Sequence, residues 1–264
     1  MTPAVHRGGE GPPLLCLHGF TDTWRTWELV LPRLERRHEV LAPNLPGHAG
    51  GSPLPDKLDA ETLVSGVERA MDEVGWETAF VAGNSLGGWV ALQLAARGRA
   101  RKVVALAPAG GWAQGDPIAA DRLDHFTNMR ALVRGAAPYA DEIVATPEGR
   151  RRVTQDITVS FEHIPPELLA HQVRGVADCH GADSLIAWAR QYGYPLATER
   201  ITCPLRIIWG TEDRLLRWPR AASRYRELLS WAEWVELPGV GHCPQLDVPA
   251  QTAELILGFT ARGG

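Results

Sequence analysis

Ser85 lies between two glycines in the run Gly83-Asn84-Ser85-Leu86-Gly87. Glycine on either side leaves no side chain to clash when the chain doubles back, so the hydroxyl stands at the tip of a sharp turn. A serine hydroxyl becomes an effective nucleophile when a neighbouring base takes its proton. His242 is the candidate base, because imidazole changes charge near neutral pH. It ends the loop Pro238-Gly239-Val240-Gly241-His242. Asp213, in Gly210-Thr211-Glu212-Asp213, is the candidate carboxylate. Accepting from one ring nitrogen, it would fix the imidazole tautomer and stabilise the imidazolium. Each residue also has a plainer reading: a tight turn at Ser85, a turn-forming Asp213 with Glu212 as its competitor, and a satisfied surface His242.

Such residues need elements to hold them. Residues 80–82 form a short apolar run, and 86–96 carry apolar residues at helical spacing. Ser85 is therefore expected at a strand-to-helix turn, beside free N–H groups and the positive end of a helix. Further short apolar runs at 13–17, 39–42, 102–107, 205–209 and 234–237 read as strands. Helices are expected at 21–36, 60–74, 219–229 and 248–259. Uniformly apolar strands alternating with helices predict an α/β fold, a doubly wound and mostly parallel sheet covered on both faces. From 112 to 200 the strand-like runs stop, and helix-prone segments at 119–133, 147–158 and 167–177 are separated by prolines. The expected organisation is a core of residues 1–111 and 201–264 with a helical lid inserted at 112–200. Ligands in open α/β sheets sit outside the carboxyl ends of the strands. The polar residues expected there are His18, Asn44, Ser85, Asp213 and His242.

Composition narrows the class. A chain of 264 residues, 45% hydrophobic, can bury a large core. Its net charge of −4 has the two signs mixed along the chain, with only short clusters such as Arg150-Arg151-Arg152. No nucleic-acid partner is expected from that pattern. The cysteines Cys16, Cys179, Cys203 and Cys243 are widely spaced, without metal-ligand spacing, and read as buried reduced thiols. The N-terminal stretch is polar and rich in Gly and Pro, unlike a signal peptide. No apolar run reaches the ~18–20 residues of a membrane span. The expectation is a cytoplasmic protein without a membrane partner.

The motifs, taken together, resemble those of α/β-hydrolase-fold enzymes of the small, lid-bearing, serine-esterase kind. Gly83-Asn84-Ser85-Leu86-Gly87-Gly88 resembles the family's nucleophile elbow, and His18-Gly19-Phe20 its His-Gly oxyanion segment. Leu45-Pro46-Gly47-His48 resembles its Pro-Gly-His loop, Trp209-Gly210-Thr211-Glu212-Asp213 its acid loop, and Gly241-His242-Cys243-Pro244 its histidine loop. The order Ser…Asp…His is also the family's. Some members take the acid from the strand after the serine helix, but here that strand ends Leu106-Ala107-Pro108-Ala109, without a carboxylate.

The resemblance implies cleavage of a small carboxylic ester, thioester or lactone through an acyl-enzyme, with a small-molecule acyl substrate and no cofactor or metal. The backbone N–H groups of Phe20 and Leu86 would receive the developing oxyanion. Losing one such donor typically costs ~2.7–4 kcal/mol of transition-state stabilisation. Phe126, Met129, Phe161, Trp188 and Tyr192 are the candidate substrate-wall residues of the lid, with packing of the lid's own core as the alternative for each. His18 and His48 read as loop-bracing hydrogen-bonders. Asn44 stands where the family commonly has Asp, and Ala49 where it has Gly. Asn84 also occurs before the serine in carbon–carbon bond hydrolases of ring-fission products, which keeps that activity as an alternative. A non-catalytic ligand-binding member of the fold is a further one. Serine in place of aspartate as nucleophile disfavours haloalkane dehalogenases and epoxide hydrolases.

Overall fold

The strands β1 (Val5–Gly8), β2 (Pro13–Leu17), β3 (Glu39–Pro43), β4 (Ala79–Asn84), β5 (Ala100–Leu106), β6 (Leu205–Gly210) and β7 (Glu233–Leu237) form one seven-stranded sheet, in the order β1-β3-β2-β4-β5-β6-β7. The computed structural model describes residues 4–59, 61–113 and 115–261. All neighbours pair in parallel except β1, which runs antiparallel to β3 at the edge. The sheet is thus the doubly wound, mostly parallel one expected. Only β1 was without a sequence signal: Val5-His6-Arg7-Gly8 is short, half-exposed and mostly polar, as suits an edge strand.

The uniformly apolar strands divide their side chains between two faces by the period of two. Leu15, Leu17, Leu41, Val81, Val103, Ala105, Ile207 and Trp209 enter one apolar cluster. Leu14, Cys16, Val40, Ala42, Ala82, Val104, Leu106 and Ile208 enter the other. Helices α2 (Thr62–Glu73) and α3 (Leu86–Ala96) cover the first face through Leu63, Val67, Met71 and Trp89. The second face is covered by α1 (Leu31–Leu34) and a C-terminal helix, through Leu34, Ile256 and Phe259.

Between β5 and β6 come α4 (Ile118–Ala136), α5 (Ala140–Val144), α6 (Pro147–Thr154), α7 (Pro166–Ala177) and α8 (Ala182–Tyr192), with no strand among the described residues. The chain ends with α9 (Ser223–Leu228), α10 (Pro244–Asp247) and α11 (Pro249–Thr260). A third apolar cluster ties Val144, Ile164, Leu168 and Val173 of the helical segment to Cys243 and Leu246. Among the described residues no helix is long and apolar enough to cross a membrane.

Two expected helices are broken. Residues 21–36 form a 3₁₀ turn (Trp24–Trp27) and the short α1. Pro32 has no N–H to donate and its ring crowds the carbonyl one turn back, so one continuous helix cannot form. Residues 219–229 similarly become a 3₁₀ turn (Arg220–Ala222) followed by α9. Helix α2 covers most of 60–74; Ala60 itself lies outside the described residues.

Parallel strands end at the same edge of a sheet. The residues that follow β2, β4, β6 and β7, including His18, Ser85, Asp213 and His242, are therefore brought to one side.

Candidate active site

Ser85 joins β4 to α3 with φ 55° and ψ −114°. A non-glycine residue at positive φ costs about 1–3 kcal/mol and persists only where its surroundings hold it. Here the Ser85 N–H donates to the Leu106 carbonyl at 2.9 Å, and its own carbonyl accepts from Trp89 and Ala109, each at 3.0 Å. The flanking glycines are sterically required. A Cβ on Gly83 would collide with the Gly87 carbonyl, and one on Gly87 with the carbonyls of Leu17 and His18. Leu86 is the first residue of α3, so its N–H has no acceptor within the helix. Gly19 passes close by: a Cβ there would stand 3.3 Å from the Ser85 Cβ.

His242 and Asp213 are both buried, and Nδ1 of the ring lies 2.7 Å from Asp213 Oδ2. The carboxylate accepts, so the ring proton sits on Nδ1 and the Nε2 lone pair is free in the neutral ring. Asp213 is fixed in turn, its Oδ1 accepting from the N–H groups of Leu215 at 2.9 Å and Leu216 at 2.7 Å. His242 Nε2 is buried and without a hydrogen-bond partner among the described residues. Ser85 and His242 border the same cavity. A hydroxyl, an oriented imidazole and an imidazole-bound carboxylate can together transfer a proton and form a covalent intermediate. Glu212, by contrast, is exposed.

Supporting residues hold these groups from beneath. Asn84 donates through Nδ2 to the carbonyls of His242 at 3.0 Å and Leu106 at 3.2 Å. Its Oδ1 accepts from Cys243 Sγ at 3.3 Å and Gln245 Nε2 at 3.1 Å. The Asp247 carboxylate accepts from the N–H groups of Gly241, Val159 and Ser160 at 2.7, 2.9 and 2.7 Å. It so joins the histidine loop to the helical segment. Asn44 braces the third loop, accepting from Trp24 N at 2.7 Å and donating to Ala49 O. His18 Nε2 accepts from Leu45 N at 2.8 Å. Burial, then the neighbouring His48, holds the His18 ring well below the usual imidazole range, and burial brings His48 to about 4. Both are neutral braces. Burial, then nearby carboxylates, raises the Cys243 thiol well above its ordinary value, which makes it unreactive.

Two cavities meet at Ser85. The larger, about 690 Å³, has Ser85, His242 and Cys243 on its floor and residues of α4, α6 and α7 around it. That volume lies in the usual range for small-molecule sites. The smaller, about 20 Å³, is bordered by Leu86, Trp112, Arg122, Tyr194 and Leu216. Ser85, Phe20 and Phe126 border both, the two phenyl rings packing edge to face at 5.1 Å.

Of the expected wall residues, Phe126 and Met129 border the large cavity. Phe161, Trp188 and Tyr192 border neither cavity. Phe161 packs into the apolar cluster of the helical segment. Trp188 is buried against Trp89 and Tyr194, with Nε1 donating to the Asp59 carbonyl at 2.7 Å. Tyr192 is exposed, its hydroxyl 3.4 Å from the Leu58 carbonyl. Tyr194, two residues on, takes the cavity position, where burial raises its phenol pKa.

Sequence reasoning also missed Arg122 and Asp22. Arg122 lies among alternating charges on α4, and nothing in its spacing marks it. Asp22 borders the large cavity and accepts from Thr23 N at 2.8 Å and Gln172 Nε2 at 3.5 Å. Burial lifts its carboxyl to about 6. It follows Phe20 by two residues, which was the one available hint.

Comparison with known proteins identifies the family of the chain. The model of the alpha/beta hydrolase family matches residues 14–255. The chain is similar to the epoxide hydrolase EphH of Mycobacterium tuberculosis, 30% identical over 203 residues, which cover 76% of this chain and 95% of that protein. A shorter similarity, 33% identical over 112 residues and 40% of each chain, links it to the 2-hydroxymuconate semialdehyde hydrolase of a Pseudomonas species. Among solved structures, a thermophilic esterase from Thermogutta terrifontis matches with TM-score 0.74 at 18% identity, over 97% of this chain and 92% of that one. The enol-lactonase from Burkholderia xenovorans LB400 matches with TM-score 0.72 at 19% identity, over 98% and 96%. At these identities the two structures speak to the fold alone.

Proposed function

The chain belongs to the α/β-hydrolase family, and from that membership we propose that it is a serine hydrolase cleaving a small carboxylic ester, or a related thioester or lactone, through an acyl-enzyme. One observation carries this reading: His242 Nδ1 is held by Asp213 at 2.7 Å, and Ser85 and His242 border one cavity. Ser85 Oγ attacks the substrate carbonyl while His242 Nε2 takes its proton. The oxyanion is received by the N–H groups of Leu86 and Phe20. The bond to the leaving group breaks, and His242 returns the proton to the departing atom. A water activated by the same imidazole then hydrolyses the acyl-serine, releasing the acid and restoring the hydroxyl. Residues 112–200 serve as the lid over this centre, on a core formed by 1–111 and 201–264.

The epoxide hydrolase relative invites another chemistry, but the residue at the elbow opposes it. Serine opening an epoxide would leave an ether on the enzyme. An ether has no carbonyl for water to attack, so turnover would stop after one event. An aspartate nucleophile would leave a hydrolysable ester instead. Carbon–carbon bond hydrolysis is the second reading, favoured by Asn84 before the serine and by the semialdehyde hydrolase relative; such an enzyme would prefer a dienol-keto acid to a simple ester.

Incubation with a fluorophosphonate probe tests the nucleophile. Ser85 becomes labelled in the wild type and the Ser85→Ala variant does not. An unlabelled wild type, or a Ser85→Ala variant with unchanged turnover, would refute the proposal.

A further inference from the structure

Three carboxyl groups lie around the site, and they differ in what they touch. Asp213 is held by two N–H groups and by His242. Asp247 is held by three N–H groups. Asp22 accepts one N–H, from Thr23 at 2.8 Å; its other contacts are the Thr26 hydroxyl and the Gln172 amide, the latter at 3.5 Å. All of these partners are neutral. Asp22 is partly accessible and borders the large cavity together with Ser85 and His242. Burial brings its carboxyl to about 6, so at about pH 7 most of it is ionised. A carboxylate removed from bulk water, with neutral partners only, lacks a counter-charge.

Gln172 stands beside it on α7 and borders the same cavity. An ionised carboxylate only accepts, so the Gln172 amide presents Nε2 to Asp22 and turns Oε1 away. That oxygen is buried and has no hydrogen-bond partner among the described residues. The pair therefore offers a negative charge and an unused acceptor oxygen. The other carboxylates on the cavity, Glu148 and Asp156, are engaged by Arg151 and His125. Arg152, exposed at the rim, is the single arginine bordering the cavity among the described residues, which contribute no lysine to it. Acids thus outnumber bases on its walls, and a cavity lined by one sign of charge draws in ligands of the other.

We propose that Asp22 and Gln172 form a recognition site for an ammonium group, and that the substrate is an ester carrying a primary amine. An ammonium brings three donors and the missing positive charge. It can serve both oxygens at once, which a hydroxyl with one proton cannot. The same carboxylate repels substrates that bring a carboxylate of their own. Asp22 follows Phe20 by two residues, so one loop carries both the oxyanion donor and the charge that positions the amine. The proposal rests on the serine-hydrolase reading and leaves its bond-making and bond-breaking steps unchanged.

Isosteric esters test it, with kcat/KM as the readout. Benzyl 3-aminopropanoate, benzyl 3-hydroxypropanoate, benzyl butanoate and benzyl hydrogen succinate vary the acyl side. The esters 4-(aminomethyl)benzyl acetate and 4-ethylbenzyl acetate vary the alcohol side. On at least one side the ammonium ester is expected to exceed its methyl isostere about tenfold or more, with hydrogen succinate the poorest substrate. Asp22→Asn, which keeps the shape without the charge, should bring the ammonium-to-methyl ratio close to one and raise succinate relative to butanoate. Gln172→Met should lower the ratio part of the way. Ammonium esters no better than their methyl isosteres on both sides overturn the proposal without recourse to a variant. A ratio unchanged in Asp22→Asn overturns the role of Asp22. A hydroxy ester ahead of the ammonium esters overturns the ammonium in favour of a neutral donor. If no ester is cleaved, fluorophosphonate labelling separates the causes: a labelled Ser85 counts against the amine-bearing substrate, and an unlabelled one against the hydrolase reading itself.

Discussion

Asn84 spans the gap between β4 and the His242 loop, its Nδ2 donating to the carbonyl oxygen of His242 at 3.0 Å. Its remaining bonds, to Leu106, Cys243 and Gln245, complete a strut between Ser85 and the His242 loop. Asn84→Ala leaves buried donors and acceptors unpaired, which costs about 1–3 kcal/mol. Because a small displacement of a catalytic group is expensive, kcat should fall about tenfold or more with little change in KM. Urea denaturation and steady-state kinetics measure both, and an unchanged kcat would remove the positioning role.

Asp213 and Glu212 are adjacent carboxylates with opposite surroundings, one buried against His242 and one exposed. Asp213→Asn presents an amide to the ring and disturbs its tautomer, so turnover should drop by about 10⁴-fold. Glu212→Gln should retain wild-type kinetics. Comparable losses in the two variants would mean the acid has been misassigned.

Trp188 and Phe126 separate packing from recognition. Trp188→Ala deletes a buried indole and should cost about 3–5 kcal/mol of stability, while leaving the relative rates among esters as they were. Phe126→Ala removes a ring that borders both cavities, so the relative rates among esters of different length should change. Thermal melts and an acyl-length series distinguish them; a selectivity change in Trp188→Ala would return that residue to the substrate wall.

Asp22 gives stability a pH slope. Its folded carboxyl titrates at about 6, above the unfolded value of 3.8. Between those limits the folded chain holds a proton that the unfolded chain has lost, so stability falls as pH rises through the window and levels off above it. At about 1.4 kcal/mol per pH unit, the difference reaches up to about 3 kcal/mol. Asp22→Asn should flatten the slope between about pH 4 and pH 6. A variant with the wild-type slope in denaturant titrations would assign the effect elsewhere.

The parallel sheet was legible because the inner strands are buried on both faces and so read as short apolar runs; β1, half-exposed at one edge, has no such run, and β7 at the other edge is only partly buried. Ser85, Asp213 and His242 were legible because turn glycines and strand ends mark their positions. The walls were not. Whether an aromatic on or just after α8 faces the cavity or the core depends on packing against neighbours distant in sequence: Trp188, on α8, packs on Trp89, while Tyr194, two residues past its end, borders the small cavity. Arg122 and Asp22 acquire meaning only from what surrounds them. Pro32 is the local signal against one continuous helix over 21–36.

The Asp247 carboxylate binds the histidine loop and the Val159-Ser160 stretch at a single point. One carboxylate thus holds both the His242 loop and the helical segment. The opposite rim is different. Leu132 of α4 borders the cavity and is 74% exposed. The two sides of the cavity therefore differ: one is tied to the His242 loop through a single carboxylate, and the other lies open to solvent at Leu132.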